Sequence, residues 1–290
     1  TLVDQLGTRA TAVNDIPAES AVVVLALPRP HADLAERLVT TGTPVVSVSD
    51  DREDVRRLLA LGSAARATGV PLVVGAAMSP GLSGLLARHL ASQFDGIDEI
   101  HVAVHGTGGP ACARQHHRSL GGTSLNWHDR TWVERPAGSG RELCWFPDPL
   151  GAWDCYRAEV ADPVLLVTAF PTIERVSARL SANRRDRFTS RLPMLRPPHQ
   201  EGGLGGLRVE VRGTRAGERL TLVAGVTERV AVVTASMAAV MALSALGDAL
   251  AAGAVVPGDA NLDTRSLLVQ ITATGLSLRE FVGTEARTGW

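Results

Sequence analysis

Five of the eight histidines (His101, His105, His116, His117 and His128) and all three cysteines (Cys112, Cys144 and Cys155) fall in one middle stretch of the chain. Within it, Arg114, His116 and His117 have the chemistry for proton transfer and anion binding in a cleft. An imidazole titrates near neutrality and a guanidinium clamps a carboxylate. His105 is a further candidate for the proton relay, and a surface turn of polar residues is the plainer alternative for the Arg114–His117 group. Cys112, His116 and His117 also have ligand chemistry, but no paired C-x-x-C or H-x-x-x-H spacing places them on one helix face. His101 and His105 share a strand face and stand about 13 Å apart along it, so no metal is expected. No Ser elbow of the G-x-S-x-G type occurs, and Ser83 falls inside a predicted helix. Trp127, Trp132, Trp145, Phe146, Trp153 and Tyr156 cluster in the same region. They suit either the apolar wall of a ligand pocket or the core of a second domain that uses tryptophan.

The elements that must position these groups are legible upstream. Ala21–Leu27 is a continuous apolar run stopped by Pro28 and Pro30, and Val45–Val48 and Leu72–Ala77 are two more. Such runs fit strands buried on both faces of a parallel sheet. Between them Leu34 and Leu38, then Val55, Leu58 and Leu59, have helical spacing, the second set after the acidic start Ser49-Asp50-Asp51. Ser79-Pro80 reads as an N-cap and N1 pair opening a helix through Leu82, Leu85, Leu86 and Leu90. The β-α-β-α-β-α order is the half of a doubly wound α/β sheet beyond its switch point. A full dinucleotide fold needs a strand, a Gly-rich turn, a helix and a second strand before it, roughly 40 residues. The expectation is therefore a Rossmann-like sheet that is N-terminally incomplete.

Gly106-Thr-Gly-Gly-Pro-Ala111 matches G-x-G-x-x-A after the strand-like segment Ile100–His105. That segment alternates, which suits a half-buried rather than a central strand, and Cys112–Arg118 has no apolar stripe. A backbone-lined turn in a substrate site, or an ordinary Gly-rich turn, fits better than a pyrophosphate loop. Further on, Leu207–Arg212 and Leu220–Ala224 alternate around a Gly-rich turn, as a hairpin with one solvated face does. The loop Asn183–Gly206 has no usable periodicity and reads as a lid, an arm or a partner contact. Arg175–Arg219 holds eleven Arg against four acids. That excess is either a solvated sheet face or an electropositive wall for an anionic substrate or cofactor phosphate.

Composition narrows the classes. The 290 residues are 45% hydrophobic and 20% charged, so the chain can bury a core. A formal net charge of −1 argues against dedicated nucleic-acid or anionic-membrane binding. No Lys occurs, which removes Schiff-base enzymes, the P-loop Lys and Tyr–Lys reductase pairs within these residues. Three cysteines are too few for a disulfide framework and fit a reducing cytoplasm. Val230–Gly247 is uncharged and Ala-rich, and reads as a small-residue core helix rather than a membrane span.

Three runs carry a resemblance: Ala21–Pro30 with His31, Pro44–Asp51, and Val73–Gly84 with its Met-Ser-Pro-Gly turn. With His105–Ala111, Arg141–Asp148 and Gly205–Gly213, the chain resembles the actinobacterial branch of the saccharopine dehydrogenase-like NAD(P)-binding proteins. The resemblance implies an incomplete Rossmann-like domain over residues 1–96, an α+β substrate or dimerisation domain over 97–228, and C-terminal helices returning to the first domain over 229–290. It implies NAD or NADP as cofactor, approached by Leu27, Pro28, Ser49, Asp50, Met78, Ser79, Pro80 and Gly81. The function expected is an NAD(P)-dependent oxidoreductase acting on a small amino or oxo substrate, with an anionic substrate and a homodimer as the expected partners. The alternative is a non-catalytic binding or assembly protein that kept the fold.

Overall fold

The computed structural model describes residues 5–194, 197–282 and 285–287. Its first sheet starts with β1 (Val23–Leu25), β2 (Val45–Ser47) and β3 (Pro71–Val74), joined in parallel with Val46 opposite both Val24 and Val73. β2 and β3 are buried at every position, the burial on both faces that their continuous apolar runs predict. Helix α1 (Ala32–Thr40) connects β1 to β2, and α2 (Arg52–Ala60) and α3 (Gly62–Ala67) connect β2 to β3. α2 is capped as the acidic start suggests, because the Asp51 carboxylate accepts the Asp54 N–H at 2.9 Å.

The next helix corrects an expectation. α4 (Leu82–Ala91) opens at Gly81, not at a Ser79 N-cap. The Ser79–Pro80 peptide is cis, and the chain folds into a tight turn closed by Ala77 N–H on Pro80 O and Leu82 N–H on Ala77 O, both at 2.9 Å. The Ser79 hydroxyl is committed elsewhere, to the buried Asp162 carboxylate at 2.6 Å. Gly81 sits at φ 141°, and a Cβ there would come within 2.3 Å of Ala77 O, so this turn needs glycine.

The second sheet has ten strands: β4 (Gly96–His105), β5 (Thr123–His128), β6 (Thr131–Pro136), β7 (Glu142–Phe146), β8 (Gly151–Arg157), β9 (Arg175–Ser181), β10 (Leu204–Arg215), β11 (Glu218–Arg229), β13 (Leu278–Val282) and β14 (Glu285–Arg287). Its order is β14-β13-β11-β10-β4-β9-β5-β6, with β7 on β8 and β8 on β9. β4 is thus a central strand, contrary to the reading from its alternation. Its two sides meet different surroundings: Ile100, Val102 and Val104 join the main core with the helices, while His101, Ala103 and His105 face the other way, where Ala103 packs in a smaller cluster with Cys144, Phe146 and Cys155. The predicted hairpin is β10–β11, in register from Leu204 opposite Arg229 to Arg215 opposite Glu218.

Helices α4 and α6 (Asp162–Ala169) cover the inner face, α9 (Thr264–Ala273) packs on α4, and one apolar cluster runs from Val45 and Val73 through Leu85 to Ile100 and Val209. α5 (Pro110–Ser119) follows β4. α7 (Arg184–Thr189) gives structure to a segment that shows no periodicity, because the capping box of Asn183 and Asp186 closes its first turn. α8 (Val230–Leu246) packs along β1 and β2, and β12 (Gly253–Val255) then adds to β3 in parallel. The chain therefore returns to the first sheet before β13 joins β11 in the second. Among the described residues, no helix is long and apolar enough to cross a membrane.

Candidate active site at the ends of the parallel strands

A cavity of about 740 Å³ opens where β1, β2 and β3 end. Ala26–Pro28, Val48–Asp50 and Ala77–Ser79 form one wall. In an open parallel sheet the carboxyl ends of the strands are the natural ligand position, because the connecting loops diverge there. The opposite wall comes from the second sheet: Val104 and the Gly108–Ala111 turn, then one side of α5 with Cys112, Arg114, Gln115 and His116. Small residues of α8, including Ala231, Thr234 and Ala235, line a third side. Their size keeps the helix backbone close without filling the space. Gln200 and Glu201 close the rim. The loop behind them lies directly on the Gly-rich turn, since a Cβ at Gly202 would fall 1.9 Å from Gly108 O.

Two buried acids hold the first wall. Asp54 accepts the His31 and Ala32 N–H groups at 3.0 Å and the Ser49 hydroxyl at 2.7 Å, tying the loop after β1 to the loop after β2. His31 sits at the N-cap of α1 but makes no cap with its side chain. Its ring instead bridges Leu27 O at 2.7 Å and Ser47 Oγ at 2.8 Å, a second tie between the same strands. Asp162, at the start of α6, accepts the Ser79 and Ser83 hydroxyls at 2.6 Å each. Burial pushes its carboxyl above the usual aspartate range despite those two bonds. Arg52 clamps the two sheets together through Thr123 O at 2.9 Å and Glu159 Oε1 at 2.8 Å.

The titratable centre of the cavity is a cluster of Asp50, Cys112 and His116. His116 Nε2 lies 3.7 Å from Cys112 Sγ and 3.5 Å from Asp50 Oδ2. Burial alone would disfavour the imidazolium, but the facing sulfur and carboxylate outweigh it and hold His116 well above its ordinary pKa. Burial would likewise raise the Cys112 thiol, and His116 more than offsets this, leaving it lowered.

Of the residues the sequence singles out, Leu27, Pro28, Ser49, Asp50, Met78, Ser79, Arg114 and His116 line the cavity. Pro80 and Gly81 lie behind the wall, where they shape the turn. His105 is not brought to the cavity: strand alternation turns it to the opposite sheet face, where its ring stacks 4.3 Å from Trp153 and Nδ1 meets Ser181 Oγ at 2.8 Å. Burial there lowers its pKa. His117 also points away, with Nε2 donating to Thr189 O at 2.9 Å and Leu192 O at 3.1 Å. The claim that Cys112 and His116 lack a common helix face is corrected as well. The segment is helical, and a separation of four residues puts both on one side of α5.

The arginine-rich stretch does not wall this cavity. Arg135, Arg157, Arg175, Arg179 and Arg212 line a separate depression of about 480 Å³ on the outer face of the large sheet. Many are matched there: Arg212 and Arg208 with Glu210, Arg175 with Glu99 and Arg179 with Glu142. His31, Asp54, Asp162 and Thr234, whose Oγ1 accepts the Met78 N–H at 3.3 Å, are the site-building residues that sequence reasoning missed. His31 alone carried a signal, as part of the run that resembles a family.

No protein-family model matches the chain. It is 31% identical over 140 residues to myo-inositol dehydrogenase Hyg17 of Streptomyces leeuwenhoekii, a match over 47% of this chain. The matched region is only 42% of that protein's length. Saccharopine dehydrogenase (L-Glu forming) from Saccharomyces cerevisiae superimposes with a TM-score of 0.65 over 94% of this chain and 86% of its own, at 12% identity. C. glutamicum DAP dehydrogenase is more distant, with a TM-score of 0.45 over 86% of this chain and 83% of its own, at 15% identity. The chain has the α/β fold of saccharopine dehydrogenase, a small parallel sheet joined to a larger mixed one.

Proposed function

We propose that the protein is an NAD(P)-dependent oxidoreductase acting on a small amino or oxo substrate. The observation that carries this reading is the convergence on one cavity of the three strand-end loops and the polar side of α5. About 740 Å³ is in the range of small-molecule sites, and the walls are mostly apolar with a few polar groups, as such sites require.

The residues present fit the nicotinamide part of the cofactor. Leu27, Pro28 and Met78 offer apolar contact for a flat ring, and the wall they form is fixed by Asp54 and His31. When bound, the nicotinamide would supply hydride transfer. Arg114 would hold an anionic group of the substrate, because it reaches the cavity and forms none of the ion pairs found among the described residues. His116 is the one imidazole of α5 that reaches the cavity, and the proton that accompanies hydride transfer is assigned to it and its two neighbours.

The test is titration of the full-length protein with NADH and NADPH, followed by nicotinamide fluorescence. Saturable binding that is weakened by substitutions in the first wall is the expected result. Absence of binding by the full-length protein overturns the reading.

A further inference from the structure

The Asp50–Cys112–His116 cluster has a geometry that proton transfer alone does not explain. In a nucleophile–base–acid relay the acid and the nucleophile sit on opposite ring nitrogens of the histidine, so that one hydrogen bond orients the other. Here the sulfur and the carboxylate both face Nε2, at 3.7 and 3.5 Å. A single ring N–H cannot serve two acceptors well, and two acceptors crowding one nitrogen repel each other. The crowding is resolved if the three lone pairs share a cation.

The distances fit that arrangement. Ordinary zinc bond lengths to S, N and O in a tetrahedron put neighbouring ligand atoms about 3.3–3.6 Å apart. The two measured edges are within a few tenths of an ångström of this, and all three ligand atoms lie within 4.8 Å of one another. The donor set is one thiolate, one imidazole and one carboxylate, which suits a borderline-soft ion such as Zn²⁺ better than Mg²⁺ or Ca²⁺. Two ligands come from one face of α5, and the third from the loop after β2. The ligands thus bridge the two halves of the cavity. All three are partly buried and line it, so a fourth position would open into the cavity. Three protein ligands with an open fourth position is the pattern of a catalytic rather than a structural zinc.

We propose that Asp50, Cys112 and His116 bind a divalent transition-metal ion of the zinc type, with its fourth position open to the cavity for water or a substrate oxygen. This rests on the same cavity as the oxidoreductase reading and deepens it. The proton assigned to His116 would then be held on a metal-bound water. Metal binding itself does not require the nucleotide.

The experiment is metal analysis of the full-length protein, purified without chelators or a metal-affinity tag, together with Co²⁺ titration of the chelator-stripped protein. About one zinc per chain is expected. Bound Co²⁺ should show the near-ultraviolet charge-transfer band of a thiolate ligand, absent from C112S. H116A and D50N should reduce zinc occupancy at least tenfold, while H128A, on the outer sheet face, should leave it unchanged. Alkylation of Cys112 followed by mass spectrometry gives a test without substitutions: added zinc should slow it at least tenfold in the parent protein. A parent that purifies without zinc, gives no charge-transfer band and shows no zinc protection of Cys112 overturns the proposal. If NADH still binds that protein, the oxidoreductase reading stands alone, with His116 as the proton carrier. If zinc binds and no nucleotide does, the metal site stands and the oxidoreductase reading falls.

Discussion

Asp54 offers a stringent test of how the first wall of the cavity is held. Its buried carboxylate takes two backbone N–H groups from the first turn of α1 and the Ser49 hydroxyl. The N-terminal N–H groups of a helix have no partner within it, and the N-cap residue His31 uses its ring elsewhere. Asp54→Ala therefore leaves two buried donors unpaired at about 1–3 kcal/mol each, whereas the Ser49 hydroxyl can turn to another acceptor. The expected loss is about 3–6 kcal/mol, including the interaction of the charge with the helix end. With an unfolding entropy of about 2.1 cal/mol/K per residue, a chain of 290 residues loses about 5–10 °C of Tm. Asp54→Asn keeps one oxygen for the N–H pair and can donate to Ser49, so it should lose only about 1–3 °C. Thermal unfolding followed by circular dichroism reads both variants, and NADH titration below the transition reads the wall. The Ala variant should also bind nucleotide more weakly, because Leu27 and Ser49 are no longer tied. A D54A protein that melts within 2 °C of the parent, or a D54N protein as damaged as D54A, would refute the reasoning.

Other expectations follow from single contacts. Gly81→Ala combines backbone strain at φ 141° with a Cβ 2.3 Å from Ala77 O, for a cost of about 2–6 kcal/mol. Gly42→Ala, at φ 82° with open space around it, should cost only about 1 kcal/mol, and equal losses in chemical denaturation would contradict the steric account. Asp162, raised by burial, holds its proton to higher pH in the folded chain than in the unfolded one. Its contribution to stability is therefore fully present below the ordinary aspartate value and lost as pH rises through the folded value. Asp162→Asn should flatten that part of the urea-stability profile, and a pH-independent difference between the two proteins would exclude this account. Ala235 is exposed on the cavity side of α8. Ala235→Trp should weaken NADH binding at least tenfold in a fluorescence titration while Tm moves by no more than about 2 °C. Unchanged binding would place the nucleotide elsewhere.

Much of the scaffold can be read directly from residue order. The apolar runs at Val45 and Leu72 had to become strands buried on both faces, because nothing in them can face water. Alternation from Leu207 to Ala224 specified a hairpin, and the charge-free run from Val230 specified a helix, which buries one side and leaves Val232, Leu243 and Leu246 exposed. That the loops after the parallel strands approach a cofactor is an expectation from the family resemblance, and those loops line the cavity. Periodicity states which residues share a face, but not what covers that face. That is why the alternation puts His105 opposite Val104 but does not say that the cavity lies on the Val104 side, and why the arginines of β9 and β10 fit a solvated face and a cavity wall equally well until the packing is known.

The chemistry was set by packing between distant segments. Asp50 and Cys112 are brought into one cluster only when the loop after β2 meets α5. Asp162 accepts the Ser79 hydroxyl because α6 packs against the start of α4. Some residues of the site, such as Asp50, Cys112 and His116, carry a recognisable local signal and others, such as Asp54 and Asp162, carry none, whereas the mutual distances and burial of all of them arise from two sheets packed around one core. Those distances and that burial decide which histidine reaches the cavity and which acid is raised above its ordinary range.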